Sequence, residues 1–381
     1  MRILVLGAGR MGLGVCTDLV RSPDVDRVTV ADLDRLKGEA VITRLASSKL
    51  TAKSVDVSNF SQVKELMRGH DAAVSCVVYR HNFMLAQAAI EARANFCDLG
   101  GNNQVVDAEL ALDTEARSAG IRIIPDCGLA PGMVSVLAAH GARRFQHLKA
   151  MHIRVGGLPQ KPRPPLNYQI VFSIDGLINE YIEPARILRG GRIFEVESMT
   201  EVETVEFPPP YGRLEAFHTS GGTSTLPESF RGKVETLDYK TIRYPGHCQQ
   251  FKLLLDLGLA GSNPVRIDDA EVIPRNVLRE LLAQKVPSDG PDVVLVRVEF
   301  SGICDGRQTT LVYDIIDCYD AETGLSAMMR TTAFPASIVA QMMASGDIPN
   351  PGAVPQERCV PTDKFIAALA KRNIQLVEYT L

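Results

Sequence analysis

The first fourteen residues constrain the fold of this chain more than any other stretch does. Ile3–Leu6 is an apolar run too short for a helix, and it leads into the glycine-rich spacing G-x-G-x-x-G, followed by an apolar pattern with helical spacing. A strand, a turn and a helix in this order predict a dinucleotide site. Gly7 permits the tight turn, Gly9 lets the backbone approach a pyrophosphate, and Gly12 lets the helix pack closely on the strand.

An aspartate closes the second apolar run and indicates which dinucleotide is bound. Asp32 can accept hydrogen bonds from both ribose hydroxyls and would repel a 2′-phosphate, which favours NAD over NADP. Arg10 and Arg35 lie close by in the sequence and could offset that repulsion. Arg10 and Met11 also open the helix whose free N–H groups would face the phosphates. The alternative is a glycine turn with an incidental surface aspartate.

Composition excludes several other classes of protein. The net charge of −4 and the lack of a basic run argue against a nucleic-acid partner. No apolar stretch reaches the length of a membrane span, and the N-terminus enters a strand directly with no signal peptide. None of the eight cysteines forms a C-x-x-C pair, so we predict no metal site and a cytoplasmic protein with reduced thiols.

The N-terminal third alternates between strand-like and helix-like segments. This alternation predicts a doubly wound parallel sheet of the Rossmann type, whose ligands bind beyond the carboxyl ends of the strands. The expected strands cover residues 3–6, 28–31, 52–57, 71–78, 95–99 and 121–124. Their carboxyl ends carry further candidates, which are Asp56, Val77, Val78 and Gly100 for the cofactor and Asn102 and Asp126 for the substrate.

The pattern changes near residue 151 to runs that alternate between apolar and polar residues, as at 168–174 and 195–207. Residues 293–301 and 308–319 predict a long antiparallel hairpin around Asp305-Gly306. We therefore expect an α+β substrate domain built on a mixed sheet. The expected boundaries are 1–132 for the dinucleotide domain, joined by about 325–355, and 133–324 for a substrate-binding and dimerisation domain. The helix and strand at 356–381 stay unassigned.

Three blocks of sequence together resemble the saccharopine dehydrogenase family. They are Gly7–Gly12, Asp126–Met133 and Thr241–His247, and the resemblance extends from Met1 to about Tyr379. The family includes glutamate-forming saccharopine reductases and L-lysine 6-dehydrogenases. The resemblance implies a dinucleotide domain, a sheet-based substrate domain and lysine-related chemistry. We also expect a homodimer that acts on a small-molecule substrate.

Within that family the chain resembles the L-lysine 6-dehydrogenases. Fungal saccharopine reductases carry an extra helical domain that is hard to fit into 381 residues. They also carry an arginine for the glutamate half of saccharopine near this chain's Thr219–Thr223, where it has none; the nearest are Arg213 and Arg231. The resemblance then implies oxidation of the ε-amine of lysine with NAD, giving ammonia and 2-aminoadipate 6-semialdehyde, which cyclises to piperideine-6-carboxylate. The alternatives are a saccharopine- or carboxynorspermidine-type reductase using NAD(P)H, and a regulatory nucleotide-binding protein without activity.

Three residues of the family blocks are the main candidates for catalysis and substrate binding. Asp126 would hold the substrate ammonium or take its proton; otherwise it caps the helix that follows Pro131. Arg243 would clamp an α-carboxylate through two parallel hydrogen bonds; otherwise it forms a surface salt bridge. His247 is a general base or a structural histidine.

The remaining candidates are weaker. Asn102 would meet substrate or nicotinamide, or is a turn residue, and Asp56 borders the adenine pocket or caps a helix. Thr241 and Tyr244 lie in the same block as Arg243 and are assigned to the substrate with it. Tyr168, His218 and Tyr244 are weaker candidates of the same kind as His247, a general base or a structural residue.

Overall fold

A computed structural model describes residues 1–381, which form two compact units built from separate stretches of the chain. The first unit comprises Met1–Arg143, Ser224–Ser229 and Met329–Ile374. The second comprises Arg144–Thr223, Phe230–Met328 and Gln375–Leu381. No helix combines the length and the apolar character that crossing a membrane requires.

Strands and helices alternate regularly up to residue 143. The elements of this region are β1 (Arg2–Leu6), α1 (Arg10–Arg21), β2 (Arg27–Asp32), α2 (Arg35–Leu45), β3 (Leu50–Ser54), α3 (Phe60–Met67), β4 (Ala72–Ser75), α4 (Asn82–Ala92), β5 (Asn95–Asp98), α5 (Asn103–Leu110), α6 (Asp113–Ala119), β6 (Arg122–Ile124) and α7 (Met133–Ala142).

Longer strands dominate the middle of the chain. Its elements are β7 (His147–Pro159), α8 (Ile174–Ile182), β8 (Ala185–Arg189), β9 (Arg192–Val196), β10 (Glu203–Phe207), β11 (Gly212–His218), α9 (Leu226–Phe230), β12 (Thr236–Arg243), α10 (His247–Asp256), β13 (Val265–Ile267), β14 (Ala270–Val272), α11 (Pro274–Lys285), β15 (Asp292–Cys304) and β16 (Arg307–Cys318). The chain ends with α12 (Ala327–Ser345), β17 (Gly352–Ala353), α13 (Gln356–Cys359), α14 (Thr362–Ala370) and β18 (Val377–Thr380).

The first unit is built on a parallel sheet with the strand order β17-β6-β5-β4-β1-β2-β3. Strands β1 to β6 stand in the order of a dinucleotide-binding Rossmann sheet, which confirms the predicted fold class. Leu4, Leu6, Phe96 and Ile123 pack between this sheet and its helices and are almost fully buried. The seventh strand, β17, was not predicted, because two residues are too short to give a pattern.

The second unit contains a mixed nine-stranded sheet, as expected. Its main path is β10-β11-β12-β7-β15-β16-β18, with β8 and β9 attached beside β12. Only the β12–β7 pairing is parallel. The predicted hairpin is confirmed: β15 and β16 pair from Val293–Cys318 to Cys304–Arg307, and Asp305 and Gly306 both have positive φ in the turn.

Two of the alternating runs do not form the expected continuous strands. Residues 168–174 are irregular up to the start of α8, because the backbone of Ile170 bonds to Pro287 and Ser173 caps the helix. The run at 195–207 is divided between β9 and β10, since Met199 and Glu201 take left-handed backbone conformations between them. Alternation alone did not reveal these local interruptions.

Candidate functional site

The glycine turn after β1 is shaped to receive a phosphate group. Gly7 has φ +99°, and a Cβ on Gly12 would lie 1.9 Å from the Gly7 carbonyl oxygen, so both positions require glycine. No atom lies within 4 Å of the place where a Cβ on Gly9 would stand. Gly9 also precedes α1 without any side-chain cap, which leaves the first N–H groups of that helix available to an anion.

Asp32 is fixed beside that turn by two backbone amides. Its Oδ2 accepts a hydrogen bond from Ala8 N at 2.9 Å, and its Oδ1 accepts one from Asp34 N at 3.1 Å. Of the nearby arginines, Arg35 pairs with Glu39 on the surface at 2.9 Å, and Arg10 is exposed. The carboxylate is therefore held beside the glycine turn.

The other cofactor candidates surround the same edge of the first sheet. A methyl group of Val77 lies against Gly7, Val78 is 56 % exposed, and Met11 is half-buried. Asp56 accepts hydrogen bonds from Ser58 N at 2.9 Å and Ser58 Oγ at 2.6 Å, and these bonds lower its pKa. Asp56 does not cap α3, because that helix is capped by Asn59.

Asp126 lies in a buried loop after β6 and is held from several directions. Its φ is +63°, its Oδ2 accepts a hydrogen bond from Ser224 Oγ, and its carbonyl accepts one from the Gln356 side chain. Gly100, with φ +76°, makes room for it, since a Cβ there would lie 2.0 Å from Asp126 Oδ1. The residue before α7 is Gly132, so Asp126 is not the cap of that helix.

Asp126 has an unusual affinity for protons. Burial and the neighbouring charge of Asp98 raise its pKa to about 8, while the hydrogen bond from Ser224 acts in the opposite direction. A carboxyl group with a pKa near neutrality suits general acid–base chemistry, because it can both hold and release a proton at working pH.

Asn102 has a structural part in the same region. Its Oδ1 accepts hydrogen bonds from Gln104 N at 3.0 Å and Val105 N at 3.2 Å, which makes it the N-cap of α5. This is the turn role that its residue type also predicted. A contact with substrate stays a prediction.

Arg243, at the end of β12 in the second unit, is a buried cation without a carboxylate partner. Its side chain donates from Nε to Tyr181 Oη and from Nη1 to the Ile242 carbonyl, both at 2.9 Å. The guanidinium lies over the ring of Tyr168 at 4.8 Å from the centroid. No carboxylate oxygen lies within 4.0 Å of it. The predicted alternative, a surface salt bridge, is therefore wrong.

A second buried arginine in the same unit provides the contrast. Arg154 donates from Nη1 to Asp238 Oδ1 at 2.6 Å and also pairs with Glu203. Buried charges in proteins are normally compensated in this way, because an unpaired charge loses its hydration without replacement. Arg243 lacks such compensation, which is the property expected of an arginine that binds an anionic ligand.

His247 belongs to a hydrogen-bond chain that ends at Arg243. Its Nδ1 lies 3.0 Å from the Leu166 carbonyl, which can only accept, so Nδ1 carries the proton. Its Nε2, 3.0 Å from Tyr181 Oη, then accepts from the tyrosine hydroxyl, which in turn accepts from Arg243. Burial, and then the charge of Arg243, lower the pKa of His247 to about 3. This geometry favours the structural role for His247 over the general base.

Glu180 and Tyr181, on α8, complete this cluster and were missed by the sequence reasoning. Burial raises the pKa of Glu180 to about 7, and the charge of Arg243 partly offsets this. The Glu180 carboxylate has no ion pair within 4.0 Å. The signal was the run Asn179-Glu180-Tyr181, three successive polar side chains near the end of a helix whose other residues are mostly apolar.

The neighbours of Arg243 in the same sequence block differ in role. Thr241 is buried, two residues before Arg243 on the same face of β12, and its hydroxyl lies 2.7 Å from that of Thr219. Tyr244 donates to the Pro159 carbonyl at 2.9 Å and so supports the fold. His218 is buried between the Tyr239 carbonyl and Glu201.

The candidates thus divide between the two units. Those of the glycine turn and the strand ends, from Gly7 to Asp126, belong to the first unit, whereas Thr241, Arg243, Tyr244 and His247 belong to the second.

Comparison with known proteins identifies two family models that together match most of the chain. The family models described as the saccharopine dehydrogenase NADP binding domain and the saccharopine dehydrogenase C-terminal domain match residues 3–124 and 128–374. The chain is 24% identical over 297 residues to saccharopine dehydrogenase (NADP(+), L-glutamate-forming) of Saccharomyces cerevisiae, covering 75% of this chain and 64% of that protein. It is 23% identical over 407 residues to carboxynorspermidine synthase of Vibrio cholerae, covering 97% and 94%.

A solved structure shows the same fold. Apo saccharopine dehydrogenase (L-Glu forming) from Saccharomyces cerevisiae matches with a TM-score of 0.82 at 22% identity, over 100% of this chain and 99% of that one. In sequence, the matches to the Saccharomyces cerevisiae and Schizosaccharomyces pombe proteins span less than two thirds of those relatives, 64% and 57%. Residues 3–124 form a dinucleotide-binding domain, and the chain belongs to the saccharopine dehydrogenase family.

Proposed function

We propose that the protein is an NAD-dependent oxidoreductase that converts the ε-amine of L-lysine to 2-aminoadipate 6-semialdehyde and ammonia. The observation that carries this proposal is the buried guanidinium of Arg243, which has no carboxylate partner of its own. A substrate α-carboxylate would supply the missing negative charge and accept two parallel hydrogen bonds.

The number of uncompensated arginines favours a substrate with a single amino-acid group. Residues 219–223 contain no arginine, and Arg213 and Arg231 are exposed. Arg213 donates to Thr204 at 3.3 Å on the surface of the second unit. A substrate such as saccharopine brings a further dicarboxylate, for which the second unit has no second buried cation free of carboxylates. Lysine brings one carboxylate only.

Glu180 is the group that we assign to the α-ammonium of the same substrate. It precedes Tyr181 in the cluster that contains Arg243, and it forms no ion pair within 4.0 Å, although the charge of Arg243 acts on it from farther away. A carboxylate and a guanidinium in one cluster match the opposite charges of an amino-acid head group. Binding the α-carbon end of lysine in this way leaves the ε-amine end free to react.

We assign to Asp126 the role of accepting the proton that the ε-ammonium of lysine must lose. Bound NAD would supply the hydride acceptor at C4 of its nicotinamide ring. For hydride to leave the ε-carbon, the attached nitrogen must first give up a proton, and Asp126 with its pKa near 8 can take it. Ser224, by donating to the carboxylate, holds it in one orientation. Water then releases ammonia and leaves the aldehyde.

The second candidate is a reductase that joins an amine to an aldehyde with NAD(P)H. It is favoured by the relatives named saccharopine dehydrogenase and carboxynorspermidine synthase, and by a family model described as NADP-binding. The two candidates share the glycine turn, Asp126 and Arg243. They differ in the direction of the reaction and in the size of the substrate.

Asp32→Ala should change the choice of cofactor. The substitution removes a carboxylate that would stand close to a 2′-phosphate, so NAD should bind more weakly and NADP use should rise relative to NAD. The measurement is the ratio of kcat/KM for NAD and NADP. Asp34→Ala, which removes the cap of α2 instead, is the matched control. An unchanged ratio in Asp32→Ala would show that another residue selects the cofactor.

Asp126→Asn should abolish most of the turnover. It keeps the size of the side chain but cannot take a proton, so kcat/KM for lysine should fall by about a hundredfold or more while NAD still binds. In the unsubstituted protein, kcat/KM should rise with pH through about 8 as Asp126 loses its proton. The exposed Asp24→Asn is the control, and near-normal turnover in Asp126→Asn would remove this residue from the mechanism.

Arg243→Ala should remove the preference for lysine over cadaverine, which is lysine without its carboxylate. Loss of a charge-assisted pair at a buried site costs about 2–4 kcal/mol, or roughly thirty- to a thousandfold in kcat/KM for lysine. Arg243→Lys keeps the charge but not the planar fork, and should also be impaired. Arg213→Ala should leave the lysine/cadaverine ratio intact. If Arg243→Ala leaves it intact too, a different residue binds the carboxylate.

A further inference from the structure

Three carboxyl groups are buried together in the first unit. Asp98 ends β5, Glu109 lies on α5, and Asp126 follows β6; the first two are 0 % exposed and the third 5 %. None of the three forms an ion pair with a lysine or an arginine. The proposed function uses only Asp126, so the other two need an explanation.

Asp98 connects the two loops that form the surroundings of Asp126. Its Oδ1 accepts hydrogen bonds from Gly100 N at 2.6 Å and from Asp126 N at 3.3 Å. Its own carbonyl accepts a hydrogen bond from Cys127 N at 2.7 Å. Asp98 thus fixes Gly100, which makes room for the Asp126 carboxylate, and the backbone of Asp126 itself.

The opposite side of Asp98 faces Glu109. No N–H or O–H donor of the chain reaches Asp98 Oδ2 or either carboxyl oxygen of Glu109. A hydrogen bond between these two carboxyl groups would lower the pKa of Asp98 and raise that of Glu109. Such a bond needs a proton, and two adjacent buried carboxylates cannot both ionise without a large cost in free energy. The pair therefore holds one proton and one negative charge.

The contacts decide which residue carries the proton. The amides of Gly100 and Asp126 favour the charged form of Asp98, whereas Glu109 has no such donors. Burial and the charge of Asp98 raise the pKa of Glu109 far above its usual range. Glu109 is therefore the protonated partner, and Asp98 is the anion.

The other polar groups around this cluster are few. Asn82 on α4 faces Asp98, with its Oδ1 accepting from Ser75 Oγ at 2.8 Å. Ser224 donates to Asp126, and the carboxylates of Asp107 on α5 and Glu357 on α13 add weaker negative charge. The charges that act most strongly on Asp126, those of Asp98, Glu357 and Asp107, are all negative and raise its pKa.

We propose that Asp98, which shares a proton with Glu109, is a positioning residue for Asp126: its Oδ1 holds the Asp126 backbone, and its buried negative charge tunes proton transfer to the Asp126 carboxylate. This inference rests on the proposed role of Asp126 as the proton acceptor. It extends the acid–base site from one carboxyl group to three.

Asp98→Asn separates charge from position. The Asn carbonyl can still accept from the two amides, but the negative charge is gone. The midpoint of the rise of kcat/KM with pH should therefore move to lower pH by about one unit. The dissociation constant of NAD, measured by calorimetry, and that of NADH, measured by its fluorescence, should change by no more than a few-fold. The exposed Glu115→Gln on α6 should leave the midpoint unchanged.

The outcomes separate this inference from the proposed function. If Asp126→Asn keeps the turnover and its pH dependence, the proposed function of Asp126 fails. If Asp126→Asn is impaired but Asp98→Asn keeps the original midpoint, only the role of Asp98 fails.

A spectroscopic measurement tests the shared proton without turnover. At pH 7 the infrared difference between the unsubstituted protein and Glu109→Gln should contain the carbonyl band of a protonated carboxyl group, shifted in D₂O. Glu115→Gln should show no such band, because an exposed glutamate is ionised at that pH. Absence of the band in the Glu109→Gln difference would overturn the proton-sharing pair, whatever the activity of the Asp98 variant.

Discussion

The proposed substrate site depends on one positive charge that is buried with no carboxylate oxygen within 4.0 Å. Arg243 is 3 % exposed, and its hydrogen-bond partners are a tyrosine hydroxyl and a backbone carbonyl. Neither carries a charge, so the guanidinium loses its hydration and gains no ion pair, which costs several kcal/mol. The ring of Tyr168 and the ordered chain through Tyr181 to His247 offset part of this cost. A site with this property binds a carboxylate more strongly than water-exposed arginines do.

The first unit contains the opposite situation, an excess of buried acids. Asp98, Glu109 and Asp126 are buried together, and none of them forms an ion pair with a lysine or an arginine, so we propose that Asp98 and Glu109 share one proton. Backbone amides settle the distribution by stabilising the charge on Asp98, which leaves Asp126 with a high proton affinity. The absence of a side chain at Gly100 is the steric condition for this arrangement. In each unit, therefore, a charge left uncompensated by the fold accounts for a proposed chemical role.

The sequence predicted the parts of this protein that depend on local pattern. The glycine turn, strands β1 to β6 of the first sheet and the β15–β16 hairpin follow from short-range spacing of apolar and glycine residues. Residues 168–174 do not, because their conformation depends on a backbone bond to Pro287 more than a hundred positions away. Arg243 and His247 were recognised, but Tyr181, which joins them, lies 62 and 66 positions before them, and nothing local links it to them. Glu109 was also missed, because a glutamate on a short helix is normally exposed and nothing local indicates its burial.

The proposed function requires that lysine, without a second substrate, reduces NAD in the presence of this protein. NADH absorbance measures this directly, with the unsubstituted protein, NAD and one candidate substrate at a time. The substrates are lysine, saccharopine, ornithine and diamines. Lysine should give NADH in the absence of any aldehyde or keto acid, and one ammonia should be released for each NADH formed. NADH formation with saccharopine but not with lysine would contradict the proposed function, and so would retention of NAD with no turnover of any of these compounds.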